Sequence, residues 1–227
     1  MSWESVKSLG QLLKRNLRVV VVGCALLAIL AVVMDVKGDD LHQIDSAAYV
    51  FFVLHLRRPW LTPIMEGFSN LASPVVLAGM LLVVEAFAPG RRPGVCAAIN
   101  LVLAVVIDLV LKEIVQRQRP DESIRLVSEV GYSFPSGHSM VSMAFYGLLL
   151  WMVWQYEQDR VVKWVCVTGF AVLILFVGIS RIYLGVHYAS DVIAGFAVSA
   201  IWLAIYTEVA VPVLLGGIDG ESPELTL

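Results

Sequence analysis

Long apolar runs separated by short polar joints cover most of this chain. Six of them, at about 17–36, 70–88, 95–115, 139–156, 162–179 and 188–214, are each near the ~20 residues that cross a bilayer as helix. The pattern predicts an all-α fold, an integral-membrane bundle of six transmembrane helices. Residues 1–16 add a short interfacial N-terminal helix, with Trp3, Val6, Leu9 and Leu13 at helical spacing and lysines between them. Residues 37–62 fit neither class. Their apolar part, 44–56, is too short to span and is expected to lie on the membrane surface or over the helix ends. The stretch 216–227 reads as a loose polar tail.

Composition agrees with the pattern. Of 227 residues, 59% are hydrophobic and 15% charged, and the mean hydropathy of +0.81 lies well outside the range of soluble domains. No polar stretch is long enough for a second globular unit, so residues 1–227 are read as one membrane-embedded domain. The net charge of -3 averages two aqueous faces and argues neither way about nucleic acid, which is not expected as a partner. Cys24, Cys96 and Cys166 fall inside apolar runs and offer no disulfide framework or CxxC metal site. The run after Lys14, Arg15 and Arg18 lacks a small-x-small cleavage site and continues past Cys24, so it is read as a retained first helix. Trp60, Trp151, Trp154, Trp164 and Trp202 fall mostly near span ends, as an aromatic belt would.

With the N-terminus inside, eight Lys and Arg residues fall on each face, and the positive-inside rule is silent. If Lys112, Arg119 and Arg181 serve an anionic substrate, the balance favours cytoplasmic termini. Three polar fragments then meet on the opposite face. Lys112 ends the third span, residues 135–138 (PSGH) open the fourth, Ser180 and Arg181 end the fifth, and His187 opens the sixth. An even number of crossings separates them, so they converge whichever way the protein is inserted.

Each fragment has its own chemistry. His187 and Asp191, four residues apart at a helix start, share a face, and the carboxylate can accept from Nδ1–H and leave Nε2 free to attack phosphorus. Gly137 lets backbone approach an anion, Ser136 adds a hydroxyl, and His138 can protonate a leaving oxygen. Lys112, Arg119 and Arg181 can clamp phosphoryl oxygens. Asp108, one turn before Lys112, is read as its helix partner, aiming the lysine. The loop 121–134, with Arg125 and Tyr132, joins two of the fragments and is a candidate cover for the site.

The eleven positions Lys112, Arg119, Pro120, Pro135, Ser136, Gly137, His138, Ser180, Arg181, His187 and Asp191 form KxxxxxxRP, PSGH and SRxxxxxHxxxD in order. This resembles the type 2 phosphatidic acid phosphatase family, also called the lipid phosphate phosphatase superfamily. The motif core is 112–191, and the six-helix layout carries the likeness over most of the chain. The resemblance implies a metal-independent lipid phosphatase with no cofactor, acting on a lipid phosphate or diphosphate. It implies that His187 becomes phosphohistidine, Asp191 orients it, and His138 protonates the leaving group and then activates water. Lys112, Arg119, Ser136, Gly137 and Arg181 would hold the phosphate. Small bacterial members of the family place the site on the extracytoplasmic face of the cell membrane, as the corrected charge balance does here. Undecaprenyl diphosphate, phosphatidylglycerophosphate and phosphatidate are all open as substrates, and oligomeric state is not legible. A lipid-linked phosphotransferase would share the first half-reaction, and a non-enzymatic lipid transporter on the same six helices would not need both histidines.

Overall fold

A computed structural model describes Gly23, Leu26, residues 39–87 and residues 92–215, and all its regular secondary structure is helical. The interfacial helix at 1–16 and the tail at 216–227 lie outside the described residues, as does most of the first span. Gly23, helical and buried, lies against Ile201 and Ile205, where an added Cβ would come within 3.0 and 3.1 Å of their side chains.

Helix α1, Asp39–Ala48, runs without a break into a π-helical stretch, Tyr49–His55. The second apolar run differs from expectation. It is preceded by a separate helix α2, Thr62–Asn70, and α3, Pro74–Phe87, follows after a break, the two bent by 53°. Pro74 explains the break, because its ring disfavours helix for the residue before it while its fixed φ suits a first helical position.

Four long helices follow: α4 (Arg92–Val115), α5 (Gly137–Tyr156), α6 (Arg160–Tyr183) and α7 (Ala189–Ile205). The last continues through a π-turn, Tyr206–Ala210, into Val211–Leu215. Among the described residues three helices are long and apolar enough to cross a membrane: α4, α6 and α7 with its extension. The bent pair α2 and α3 makes a fourth if it is one span. Helix α5 is not among them, because its serines, tyrosines and tryptophans lower its hydropathy. It is the centre of the bundle, packed on α4, α6 and α7.

Polar clasps set the register of these helices. Asn100 of α4 is fully buried, donates to the Ala144 carbonyl of α5 at 2.7 Å and accepts from Trp202 Nε1 of α7 at 2.8 Å. Trp202 is therefore an internal clasp and not a member of an interfacial belt. Ser199 Oγ donates to the Met140 carbonyl at 2.9 Å, and the Tyr206 hydroxyl donates to the Cys96 carbonyl at 2.7 Å. In hydrocarbon each such group needs a partner, and each bond contributes roughly 0.6 kcal/mol. Their larger effect is to align the ends of α4 and α6 with the starts of α5 and α7 at one face. Helix α1 packs on the start of α7, and the Tyr49–His55 stretch on α6.

Candidate active site

The chain leaves α6 through a reversal at Gly185, whose φ is +75° and whose hypothetical Cβ would lie 2.5 Å from the Ile124 carbonyl. Only glycine meets both conditions. The reversal delivers His187 and Tyr188 to the start of α7. There the Asp191 carboxylate accepts from the Tyr188 N–H at 2.9 Å, the third-residue half of a capping box.

His187 and Asp191 meet, with a difference from the expected direct bond. Nδ1 lies 3.5 Å from Asp191 Oδ2, beyond ordinary hydrogen-bond length. The reason is that Oδ2 already accepts from Tyr188 N–H and from the Ser133 hydroxyl at 2.5 Å. Ser133 Oγ is itself 3.4 Å from Nδ1. On the other side of the ring, Arg119 Nη1 donates to Nε2 at 3.0 Å. An arginine can only donate, so Nε2 carries its lone pair and the proton sits on Nδ1. Burial pushes the His187 pKa down to about 4, against the pull of Asp191 and with the Arg181 and Arg119 charges adding to the fall. The imidazole is therefore neutral near pH 7.

Each of the three cations is held by its own set of partners. Lys112 Nζ donates to both Asp108 oxygens at 2.5 and 2.7 Å and to the Pro135 carbonyl at 2.9 Å. Asp108 does aim the lysine, and the Pro135 contact fastens it to the start of α5. Arg119 is pinned by the carbonyls of Val186 at 3.0 Å, Gly131 at 3.0 Å and Val130 at 3.1 Å. Arg181, 2% exposed, donates to Ser69 of α2 and pairs with Glu129, while its Nε is buried without a hydrogen-bond partner among the described residues.

Gly137 stands at the first turn of α5, where a Cβ would come within 2.9 Å of Asp108 Oδ2 and 3.2 Å of Lys112 Nζ. Its absence of side chain is what lets the lysine approach. The helix has no side-chain cap, so its first N–H groups are available to an anion. A cavity of about 360 Å³ is lined by Lys112, Arg119, Glu129, Gly137, His138 and His187. Ser136 lies behind it, fully buried, with its hydroxyl accepting from Ser139 at 2.9 Å. Arg181 and Asp191 act from the second layer, through Glu129 and His187. Among the described residues no three His, Cys, Asp or Glu side chains are grouped to hold a metal ion.

Four site residues carry no motif signal. Ser133 and Glu129 come from the loop 121–134, part of which lines the cavity. Its contacts run through Glu129, Val130, Gly131 and Tyr132, whereas Arg125 Nε turns away to the Pro120 carbonyl at 2.7 Å. Arg117 donates to Asp191 Oδ1 at 2.6 Å and to Asp45 Oδ2 at 2.7 Å. An acidic or basic residue in a polar joint has no spacing rule to mark it, so only the fold could bring these forward.

Glu129 has a chemical consequence. The neighbouring Arg181 guanidinium and Arg119 at 3.9 Å hold its carboxyl below the usual glutamate range, against the desolvation that would raise it. A carboxylate thus sits on the cations an oxyanion would use. Glu129→Gln is expected to tighten inorganic phosphate binding at least about tenfold, because a like charge about 4 Å away at an effective dielectric of ~20 repels by up to about 4 kcal/mol before the flanking cations screen it. Isothermal titration in detergent reads this, and an unchanged affinity would show that the carboxylate does not compete.

The chain is similar to several known proteins. Over 147 residues the chain is 33% identical to phosphatidylglycerophosphatase B of Bacillus subtilis, covering 63% of this chain and 71% of that protein. It is 32% identical over 120 residues to an undecaprenyl-diphosphatase of Sulfolobus acidocaldarius, covering 50% of this chain and 53% of the other. The crystal structure of a transmembrane PAP2-type phosphatidylglycerolphosphate phosphatase from Bacillus subtilis superposes with a TM-score of 0.74 at 26% identity, over 84% of this chain and 96% of that one. Aquifex aeolicus LpxE shares the fold with a TM-score of 0.55 at 22% identity, over 69% and 92% of the two chains. The family model of the PAP2 superfamily matches residues 93–212, which take in every motif residue of the cavity, and the chain belongs to that superfamily.

Proposed function

We propose that this protein is a lipid phosphatase that removes phosphate from a lipid phosphate or diphosphate through a phosphohistidine on His187, without a metal or other cofactor. The observation that carries the reading is the environment of His187. It is a buried, neutral imidazole whose Nε2 lone pair faces a cavity that also holds Lys112, Arg119 and His138. As the phosphoryl group enters, Arg119 gives up its bond to Nε2 and turns its N–H groups to phosphoryl oxygens. Nε2 then bonds to phosphorus as the phosphorus–oxygen bond to the lipid breaks, and the leaving oxygen takes a proton from His138, whose imidazolium the entering phosphoryl dianion stabilises against the burial and the Arg181 charge that otherwise hold its pKa down to about 3. In the second half, His138 takes a proton from water, the resulting hydroxide displaces Nε2, and inorganic phosphate leaves. Lys112, Arg181 and the first N–H groups of α5, at Gly137 after Ser136, offset charge on the equatorial oxygens.

The whole chain, as one domain of six spans in the cell membrane with this face extracytoplasmic, is part of the same reading. It is supported by the apolar runs and by the likeness to the transmembrane Bacillus subtilis phosphatase. The apolar substrate tail would lie in the bilayer beside the bundle. The names of the relatives favour phosphatidylglycerophosphate or a polyprenyl diphosphate as the lipid. Phosphate release from these two and from phosphatidate, in detergent with EDTA, tests the reading. Turnover of at least one lipid at an undiminished rate with chelator is the expected result. Full loss with EDTA, or transfer of the phosphoryl group to an added acceptor with no release to water, would overturn it.

A further inference from the structure

The structure points to a positioning relay behind the His187–Asp191 pair: Asp45 holds Arg117, and Arg117 holds the outer oxygen of Asp191. We propose on this geometry that α1, which lies outside the residues matched by the family model, belongs to the catalytic apparatus. The inference rests on the phosphohistidine reading and adds two residues to it.

The two oxygens of Asp191 have divided duties. Oδ2 faces His187, Ser133 and the Tyr188 N–H, and Oδ1 accepts from Arg117 Nη1 at 2.6 Å. The Asp191 side chain is fully buried, and a buried carboxylate needs a compensating cation. His187 is neutral, and Lys112 is engaged with Asp108. Arg117 is the cation in contact. It is fixed in turn by Asp45 at 2.7 Å, by Ser190 Oγ at 2.7 Å and by stacking 4.1 Å over the Tyr188 ring. Asp45 is itself buried and tied to the start of α7, accepting from Ser190 N–H at 2.9 Å and Ser190 Oγ at 2.8 Å. The segment after α4 thus sets one guanidinium, Arg119, on the nucleophilic nitrogen and another, Arg117, on the orienting carboxylate.

Two effects follow for His187. The bond to Arg117 fixes the Asp191 rotamer, so Oδ2 stays on the imidazole side. It also divides the carboxylate charge, which limits the pull of Asp191 on the imidazole proton. The other charged or titratable groups facing His187 are Arg119 from the segment after α4, Arg181 from α6 and His138 from α5. None of them touches Asp191 Oδ1.

The test uses the full chain in detergent with the variants Arg117→Gln, Arg117→Lys, Asp45→Asn and the Arg117→Gln/Asp45→Asn double. Arg117→Gln is expected to lower kcat about 10- to 100-fold with KM within about threefold. It should also move the acid limb of kcat/KM to higher pH by at least about half a unit, because the undivided Asp191 charge raises the proton affinity of His187. Arg117→Lys keeps the charge and should restore the limb while kcat stays low, since one ammonium cannot span both carboxylates. The double variant should be no slower than Arg117→Gln. Wild-type kcat in Arg117→Gln, or a low kcat with an unmoved acid limb, overturns the relay. If Arg117→Gln does not fold, Asp45→Asn decides: reduced kcat at steady KM supports the relay, and wild-type kcat removes it. Wild-type enzyme and a His187 variant run in parallel separate the two readings. An inactive wild type sinks the phosphatase, whereas an active wild type with a dead His187 variant and a fully active Arg117→Gln sinks only the relay.

Discussion

His187→Gln is expected to lower phosphate release by a factor on the order of 10⁴ or more, the scale seen when a covalent nucleophile is removed. The substitution is chosen so that the fold survives. His187 is 3% exposed and its ring nitrogens meet Arg119 Nη1 and the Ser133–Asp191 cluster. A glutamine amide can accept from the arginine and donate toward the cluster, so no buried donor is stranded and the stability change should stay within about 1 kcal/mol. It has no lone pair that can form a stable bond to phosphorus. Acid-labile, base-stable radiolabel on the wild type after a quench, absent in the variant, would accompany the loss. Residual activity within tenfold of wild type would mean that another group attacks, and the phosphohistidine would be abandoned.

Asp191→Asn is the second large effect, and its reasoning depends on which oxygen does what. Oδ2 meets three donors, Ser133 Oγ–H, Tyr188 N–H and His187 Nδ1–H, so the amide of an asparagine must put its oxygen there. Its NH₂ is then forced onto the position of Oδ1, facing Arg117 Nη1 at 2.6 Å, donor against donor. The imidazole tautomer is kept. What is lost is the negative charge that offsets the positive charge growing on the ring as Nε2 bonds to phosphorus, together with the Arg117 contact. A fall in kcat of about 10²- to 10³-fold is expected, with KM within a few-fold, because no phosphate-binding cation is touched. Single-turnover measurement of phosphate release reads it. A KM rise with kcat unchanged would relocate Asp191 to substrate binding.

The chemistry of the cavity was legible in the chain because it is written in residues that are costly inside a membrane. A lysine, two arginines, two histidines and an aspartate at the ends of apolar runs have few roles other than an anion site, and their spacing in three fragments put them on one face. His138, His187, Lys112 and Arg119 do line one cavity, and Asp108 does support Lys112. Three expectations changed. The Nδ1 contact to Asp191 is shared with Ser133, because one carboxylate oxygen serves three donors. Ser136 supports α5 beside Ser139 and stays out of the cavity lining, and so does Arg181, which is held by Glu129 and Ser69.

The span count was less legible. Hydropathy averages over a window, so it joined α3 to the end of α2 across Pro74 and valued α5 by its apolar length. The structure uses α5 as the buried centre, with small and polar faces turned to three neighbours. The role of Trp202 is hidden in the chain for the same reason: position along a run says how deep a side chain sits, and only packing says that its indole N–H meets Asn100.

The sequence by itself determined a helical membrane protein and the residue types of an anion-binding, histidine-centred site, because both follow from local composition and from the parity of helix crossings. The tertiary structure decided which charge meets which. Glu129 on Arg181, Arg117 between Asp45 and Asp191, and Ser133 beside the imidazole join residues 52, 74 and 54 positions apart in the chain, with Asp45 a further 72 from Arg117. Such contacts carry no periodicity. They exist because aligned helix ends leave buried charges that must find partners, and the nearest partner in space is set by the packing of the bundle alone.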